Sequence, residues 1–328
     1  MKTRNIVKGL SLFFAVLAFS SCKKESENIF TMFEDVKVTF EDRGPYAITE
    51  NTVVNDGDSV NIYFTITSPN KEMYTVVVDS TNGEGGRALR EIATQESERH
   101  AYSGVIRMKA QRDGKTTFRI FGLNEADVFV GDGYTSITVD VKASYRHLTN
   151  RKIYLHAWNE GRTTIDDVNG ERKTFFSLET GEAFNYEEAA ANSDKIDFGL
   201  YLRVDQADGP NKGRIVYNIY TMNAPTNPLP NLDISGWQKR NTLFSAPVEV
   251  ANDIFVRELV SNSMLLEKAE EQDISLTYTD ISTTNKGFDP GNLLYFKTPE
   301  GKFGAIYVNS LSKDAIGDYL SVAIKIQK

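Results

Sequence analysis

The sequence predicts a mainly β protein in two parts: an immunoglobulin-like sandwich over 35–145, then a second β-rich domain over 146–328 with one or two short helices. Three observations carry this. Apolar residues alternate with polar ones from Val36 onward, clusters of turn-forming residues separate the alternating runs, and strand patterning restarts at Lys152 after a break near 144–150. Alternation of period two places one face of a segment in a core and the other in water.

In the first part Val36, Val38 and Phe40 alternate with polar neighbours, as do Val60, Ile62, Phe64 and Ile66, and the run from Met73 to Val78 is rich in β-branched residues. Turn signals fall at Asn55-Asp56-Gly57-Asp58, Ser68-Pro69-Asn70, Asn82-Gly83 and Arg112-Asp113-Gly114-Lys115. Further strands are expected around Val105–Ala110, Phe118–Phe121 and Ile137–Val141. About seven short strands in about 110 residues suit an immunoglobulin-like sandwich, here without the Cys-Trp-Cys signature of antibody domains. The charged stretch from Arg87 to Arg99 has few apolar anchors and reads as a short helix or a long exposed loop. The glycines before it, Gly83, Gly85 and Gly86, lack the Lys-Ser/Thr or complete GxGxxG that phosphate binding requires.

In the second part strands are expected at Lys152–Leu155, Thr174–Leu178, Ile196–Leu202, Ile215–Tyr220, Ile274–Tyr278, Leu293–Lys297, Gly304–Val308 and Leu320–Ile326. Two pieces read as helical: a short Ala/Glu-rich turn at Glu187–Ala191, and Asp253–Glu271 with Ile254, Leu259, Met264 and Leu265 along it.

The N-terminus has a positive start (Lys2, Arg4, Lys8) and an apolar run from Leu10 to Phe19, too short to span a bilayer. Ser20 and Ser21 then lead into Cys22, the single cysteine of the 328 residues. This segment resembles a lipoprotein signal, with Phe19 where leucine is usual. It implies removal of 1–21 and lipid attachment at Cys22, followed by a tether over 22–34. One cysteine excludes an intramolecular disulfide or a thiolate metal cluster. Lys23-Lys24-Glu25-Ser26-Glu27 resembles the surface-export signal of Bacteroidota lipoproteins, which would place the chain on the outer face of the outer membrane, anchored through lipid. Without 1–21 the chain carries 34 basic against 45 acidic residues, a net of −11. Such a field disfavours nucleic acid as a partner.

Chemistry-bearing motifs are sparse. The three histidines, His100, His147 and His156, would have to bring two ligands together to hold haem or zinc. GxSxG and HExxH are missing, and a pair of carboxylates is available by chance among 45 acidic residues, so the chain reads as a non-enzyme. Asp205-Gln206-Ala207-Asp208-Gly209 offers oxygen ligands but reads as a polar turn rather than a calcium loop. No cofactor is expected.

The most suggestive stretch is Thr221–Ser245. Pro225, Pro228 and Pro230 exclude a central strand and stiffen a long loop, and Trp237 sits among Gln238, Lys239 and Arg240. An indole beside cationic donors could stack on a sugar ring or an aromatic side chain, or could pin the loop to its own domain. Trp237, Lys239 and Arg240 are therefore the ligand-binding candidates. Trp158, at the end of a strand, is a weaker one.

Phe175–Glu182, Ser193–Phe198, Gly301–Val308 and Ile324–Lys328 are together similar to a pattern in Bacteroidota surface lipoproteins that accompany Sus-type TonB-dependent importers, and more distantly to haemophore-like lipoproteins. The resemblance covers most of 150–328 and contains no catalytic motif. It implies an accessory component that binds glycan or peptide beside an importer and its partner lipoprotein. The alternative is an adhesive or structural surface protein acting through protein–protein contact, with haem binding a more distant reading.

Overall fold

The computed structural model describes residues 36–328 except Glu84, 132–134, 158–171, 205–211, Arg214, 230–231 and 280–286. The expected signal segment over 1–21, Cys22 and the expected tether over 22–34 therefore lie outside the described residues, as do Trp158 and Asp205–Gly209. The protein is mainly β with a few short helices, as its patterning predicts. Among the described residues no helix is long and apolar enough to cross a membrane.

Nine strands occupy the N-terminal part: β1 (Lys37–Glu41), β2 (Thr52–Val54), β3 (Ser59–Thr67), β4 (Thr75–Asn82), β5 (Arg87–Ala93), β6 (Ala101–Lys109), β7 (Gly114–Leu123), β8 (Phe129–Gly131) and β9 (Ser136–Val141). One sheet has the order β1-β3-β6 and the other β2-β9-β7-β4-β5, with β8 attached to β7. In immunoglobulin lettering these are strands A, B, E and A′, G, F, C, C′. The A′ strand, β2, runs parallel to β9. The alternating residues Val60, Ile62, Phe64 and Ile66 of β3, and Ile137, Val139 and Val141 of β9, are all buried.

β5 corrects the expectation of a helix or loop at Arg87–Arg99. It is an edge strand, exposed along nearly its whole length, followed by a single 3-10 turn at Glu96–Glu98. With solvent on both faces it needs no apolar alternation, so the pattern that betrays other strands is missing. Its pairing with β4 is reinforced by a bidentate ion pair in which Arg87 Nε and Nη2 each donate to Asp79 at 2.8 Å. The Arg87 guanidinium holds the buried Asp79 carboxyl below the usual carboxylate range. A depressed carboxyl contributes stability that is present above its unfolded pKa, near 3.9, and is lost as pH falls through the folded value. Asp79→Asn should therefore cost about 1 kcal/mol at neutral pH, and the gap to wild type in urea midpoint should close below about pH 4. A gap independent of pH would assign the loss to packing instead.

The described residues divide into two compact units, one formed from 36–50, 61–106 and 116–138, the other from 51–60, 107–115 and 139–328. In the second unit follow β10 (Tyr145–Tyr154), β11 (His156–Ala157), β12 (Phe175–Ser177), β13 (Glu182–Phe184), α1 (Tyr186–Ala191), β14 (Phe198–Val204), β15 (Ile215–Thr221), β16 (Leu243–Phe244), α2 (Asn262–Glu270), β17 (Leu293–Lys297), β18 (Phe303–Lys313) and β19 (Asp318–Gln327). One sheet has the order β10-β19-β18-β17-β16; the other runs β11-β14-β12-β13 with β15 on β14. Their facing rows share one core containing Ile153, Phe176, Phe198, Phe244, Phe296, Ile306, Val322 and Ile324. The outer face of the first sheet is covered by Phe255, Leu259, Leu265 and Ala269, which pack on Leu293, Tyr295, Ala305 and Ala323. β17 is accordingly buried at four successive positions, Leu293 to Phe296, because both of its faces are covered.

Three boundaries differ from expectation. The helix expected over Asp253–Glu271 is one π-turn at Ile254–Glu258 and a separate α2, because Ser261 adopts an extended conformation and caps α2 by accepting from Met264 N. The buried Lys325 closes the π-turn by donating to Phe255 O and Leu259 O, both at 2.7 Å. Ile274–Tyr278 contributes only isolated bridges, Leu276 to Phe244 and Tyr278 to Tyr220. β10 begins at Tyr145, within the stretch expected to be a break, and a bulge between Leu148 and Arg151 interrupts its ladder with β19.

Candidate functional site

The long loop between β15 and β16 covers the outer face of the second sheet. Met222, Leu229 and Leu232 enter a core cluster with Phe175, Ile196, Tyr201 and Tyr220, and this apolar burial fixes the loop's path. Local hydrogen bonds then set its turns. Asn227 closes one by donating to Leu232 O at 2.7 Å while accepting from Leu229 N at 3.0 Å. Asp233 accepts from Ser235 N at 2.9 Å, and Tyr186 donates to Asp233 O from α1. Hydrogen bonds from the Ser235 side chain and then from its amide lower the Asp233 carboxyl pKa.

Trp237 follows this turn and is half-buried. Its ring meets Phe175 edge-on at 5.0 Å and lies 5.5 Å from Tyr186 at a 34° tilt. Tyr186 is itself half-buried, so the pair forms an aromatic step at the surface, beside the exposed Gln238 and Lys239. The Gln238 backbone N–H donates to Ser193 Oγ at 3.2 Å, tying the loop to the turn after α1.

Arg240 points the other way. Its Nε donates to Asp197 Oδ1 at 2.9 Å and its Nη2 to Glu300 at 2.8 Å. Asp197 is fully buried and also accepts from Thr242 Oγ1 and from Leu178 N, both at 2.7 Å. Burial pushes its carboxyl up, while Arg240, Thr242 and Leu178 all favour the ionised form. The guanidinium thus joins the loop to the domain beneath it, whereas Trp237 and Lys239 face outward in part or in full. No sequence spacing links Arg240 to Asp197, so composition around the loop could not reveal this role.

The histidines are separately placed. His100 Nδ1 lies 2.9 Å from Ser68 O, and His147 stands edge-on to Phe255 at 5.7 Å. The His156 side chain lies outside the described residues. Among the described residues no group of three or more His, Cys, Asp or Glu is arranged to hold a metal.

No family model matches the chain, and no curated protein matches it. Among solved structures, the alkylpurine DNA glycosylase AlkC of Pseudomonas fluorescens, bound to DNA with an abasic site analog, is similar over 33% of this chain and 31% of its own, at 15% identity and a TM-score of 0.21. The chain thus spans about a third of the glycosylase. Northeast Structural Genomics Consortium target SoR45 is similar over 32% of this chain and 83% of its own, at 11% identity and a TM-score of 0.18. Likenesses of this extent bear on neither fold nor function.

Proposed function

We propose that the protein is a lipoprotein of the outer membrane, anchored through Cys22 and facing the cell exterior. In this role it captures a glycan or peptide, without chemistry, for a Sus-type TonB-dependent importer and its partner lipoprotein. The observation that carries the reading is the stiff 222–242 loop, which holds the half-exposed Trp237–Tyr186 pair beside Gln238 and Lys239. Aromatic steps flanked by polar donors suit sugar rings and peptide side chains, and a loop already fixed on its domain loses little conformational entropy on binding. The net negative charge of the chain sits well with a neutral or modestly charged ligand rather than a polyanion.

A second reading, adhesion through protein–protein contact, is favoured by one feature of the first unit. Val128 and Phe129, beside the turn between β7 and β8, are 57% and 54% exposed. Exposed apolar side chains of this kind are common at contact surfaces.

The anchoring half of the proposal is tested by Cys22→Ala in the native host. The variant should lose palmitate labelling and leave the membrane fraction, whereas the wild type should be labelled and digested by protease added to intact cells. Membrane-bound, labelled Cys22→Ala protein would overturn it. Recovery of the wild type with a TonB-dependent importer after mild crosslinking supports uptake; recovery with pilus or matrix proteins would favour adhesion.

A further inference from the structure

The second unit contains a recess of about 780 Å³, lined by β10, β13 and α1, and its walls are charged. β10 and β13 are each the last strand of their sheets among the described residues, so the recess lies along two sheet edges. The β10 bulge decides which side chain enters it. Leu148 stands opposite Ile324, and Arg151 opposite Val322, so two residues of β10, Thr149 and Asn150, stand against the single Ala323. Asn150 takes a left-handed conformation, φ 52°, that makes room for the extra residue.

The insertion changes the parity of the strand. Ile324, Val322 and Leu320 all face the core, and their partners across the ladder are Leu148, Arg151 and Ile153. Without the bulge the inward row would continue from Leu148 through Asn150 to Lys152. With it, an arginine occupies an inward position between two core residues.

Arg151 is also the recess cation that lacks a counter-charge. Lys173 pairs with Glu188 at 3.1 Å, and Lys152 pairs with Asp314. Arg151 makes no ion pair among the described residues, and its Nε is buried without a hydrogen-bond acceptor. An inward guanidinium with an unsatisfied N–H is costly, and an apolar residue there would be cheaper. Such a position is explained when an acceptor arrives with a ligand.

We propose that this recess binds a ligand carboxylate, with Arg151 as the bidentate partner and Lys173 flanking it. The other groups narrow the chemistry. Glu182 and Glu188 also line the recess and disfavour a dianion such as phosphate, while together with Asn192 they can accept from hydroxyl or amide donors near a singly charged carboxylate. Ala183, Phe184 and Ala191 supply an apolar wall. A uronic acid and a peptide C-terminus both have this chemistry. The inference goes beyond ligand capture at Trp237 and stands whether or not that surface binds anything.

The test uses the full chain in detergent and five probes: sodium D-glucuronate and N-acetyl-dialanine, D-glucose and N-acetyl-dialanine amide as their neutral counterparts, and sodium sulfate as a dianion. At least one acid should bind by calorimetry and raise the melting temperature, its neutral counterpart should do neither, and the acid that binds identifies the source. Arg151→Met should weaken that binding at least tenfold while melting no lower than wild type, and Arg151→Lys should keep part of it. Should the Met variant fold poorly, the comparison of acid with neutral probe on wild type, together with Arg151→Lys, still decides. Acids and neutral counterparts binding alike, sulfate binding as well as the acids, binding undiminished in Arg151→Met, or no binding by any probe at millimolar concentration would each overturn the assignment.

Discussion

Replacing Arg240 by methionine should destabilise the second unit by roughly 3–5 kcal/mol, the scale for breaking a buried ion pair from one side. Asp197 is the reason. Its carboxylate has no exposed surface, and the Arg240 side chain over it is only 15% exposed, so little water is available to replace the guanidinium. Thr242 and the Leu178 amide would remain as donors, neither of them charged. Burial already raises the Asp197 carboxyl, and losing Arg240 raises it further. A carboxyl whose folded pKa exceeds its unfolded one favours folding more as pH falls toward and below that folded value. The penalty of Arg240→Met, measured by urea unfolding, should therefore be largest near neutral pH and shrink on acidification. Asp197→Asn placed on top of it should recover part of the loss, because the amide is neutral and its oxygen still accepts from Leu178 N. A loss below about 1 kcal/mol at pH 7 would mean that the pair is solvated in solution and Arg240 is available to a ligand.

How much of this arrangement the sequence discloses depends on how local its cause is. Strands with one or both faces in a core announce themselves: Val60 to Ile66 by alternation, and Leu293 to Phe296 as a continuous apolar run lying within the predicted strand. β5 stays hidden because both its faces meet water and its place is fixed by β4. The start of β10 stays hidden for a different reason. Its bulge shifts the inward row from even to odd positions, so Leu148 and Ile153 fall out of register with each other in any period-two reading. The break between the π-turn and α2 rests on the extended Ser261, whose capping role is visible only once the helix direction is known. At the site, three prolines and a tryptophan make the loop legible. The work of Arg240 is not, since its partner is 43 residues earlier in the chain. Arg151 is less legible still: it lies at the end of what reads as a break, and only the ladder with β19 shows that it faces inward.

Trp237→Ala separates the two roles that one indole can have in the loop. The ring contacts Phe175 and Tyr186 but is only half-buried, so its removal should cost about 2–3 kcal/mol, below the roughly 3–5 kcal/mol of a fully enclosed aromatic. That loss should be local. The loop would keep its Leu229 and Leu232 anchors, the Asn227 turn and the Arg240 fork, so the variant should still fold and remain open to measurement. If the exposed face of the indole stacks on ligand, affinity per folded molecule should also fall by about 1–3 kcal/mol, the usual scale for an aromatic anchor. Trp237→Phe should recover much of the stability and part of the affinity, since a smaller ring can still meet Phe175 and present a face. The measurements are a urea titration for stability and binding to a panel of neutral oligosaccharides and short peptides at a temperature where each variant is folded. Reduced stability with unchanged affinity would make Trp237 a strap that holds the loop down. Capture would then have to occur elsewhere on the second unit, and the aromatic step could no longer carry the proposal of an accessory binding lipoprotein.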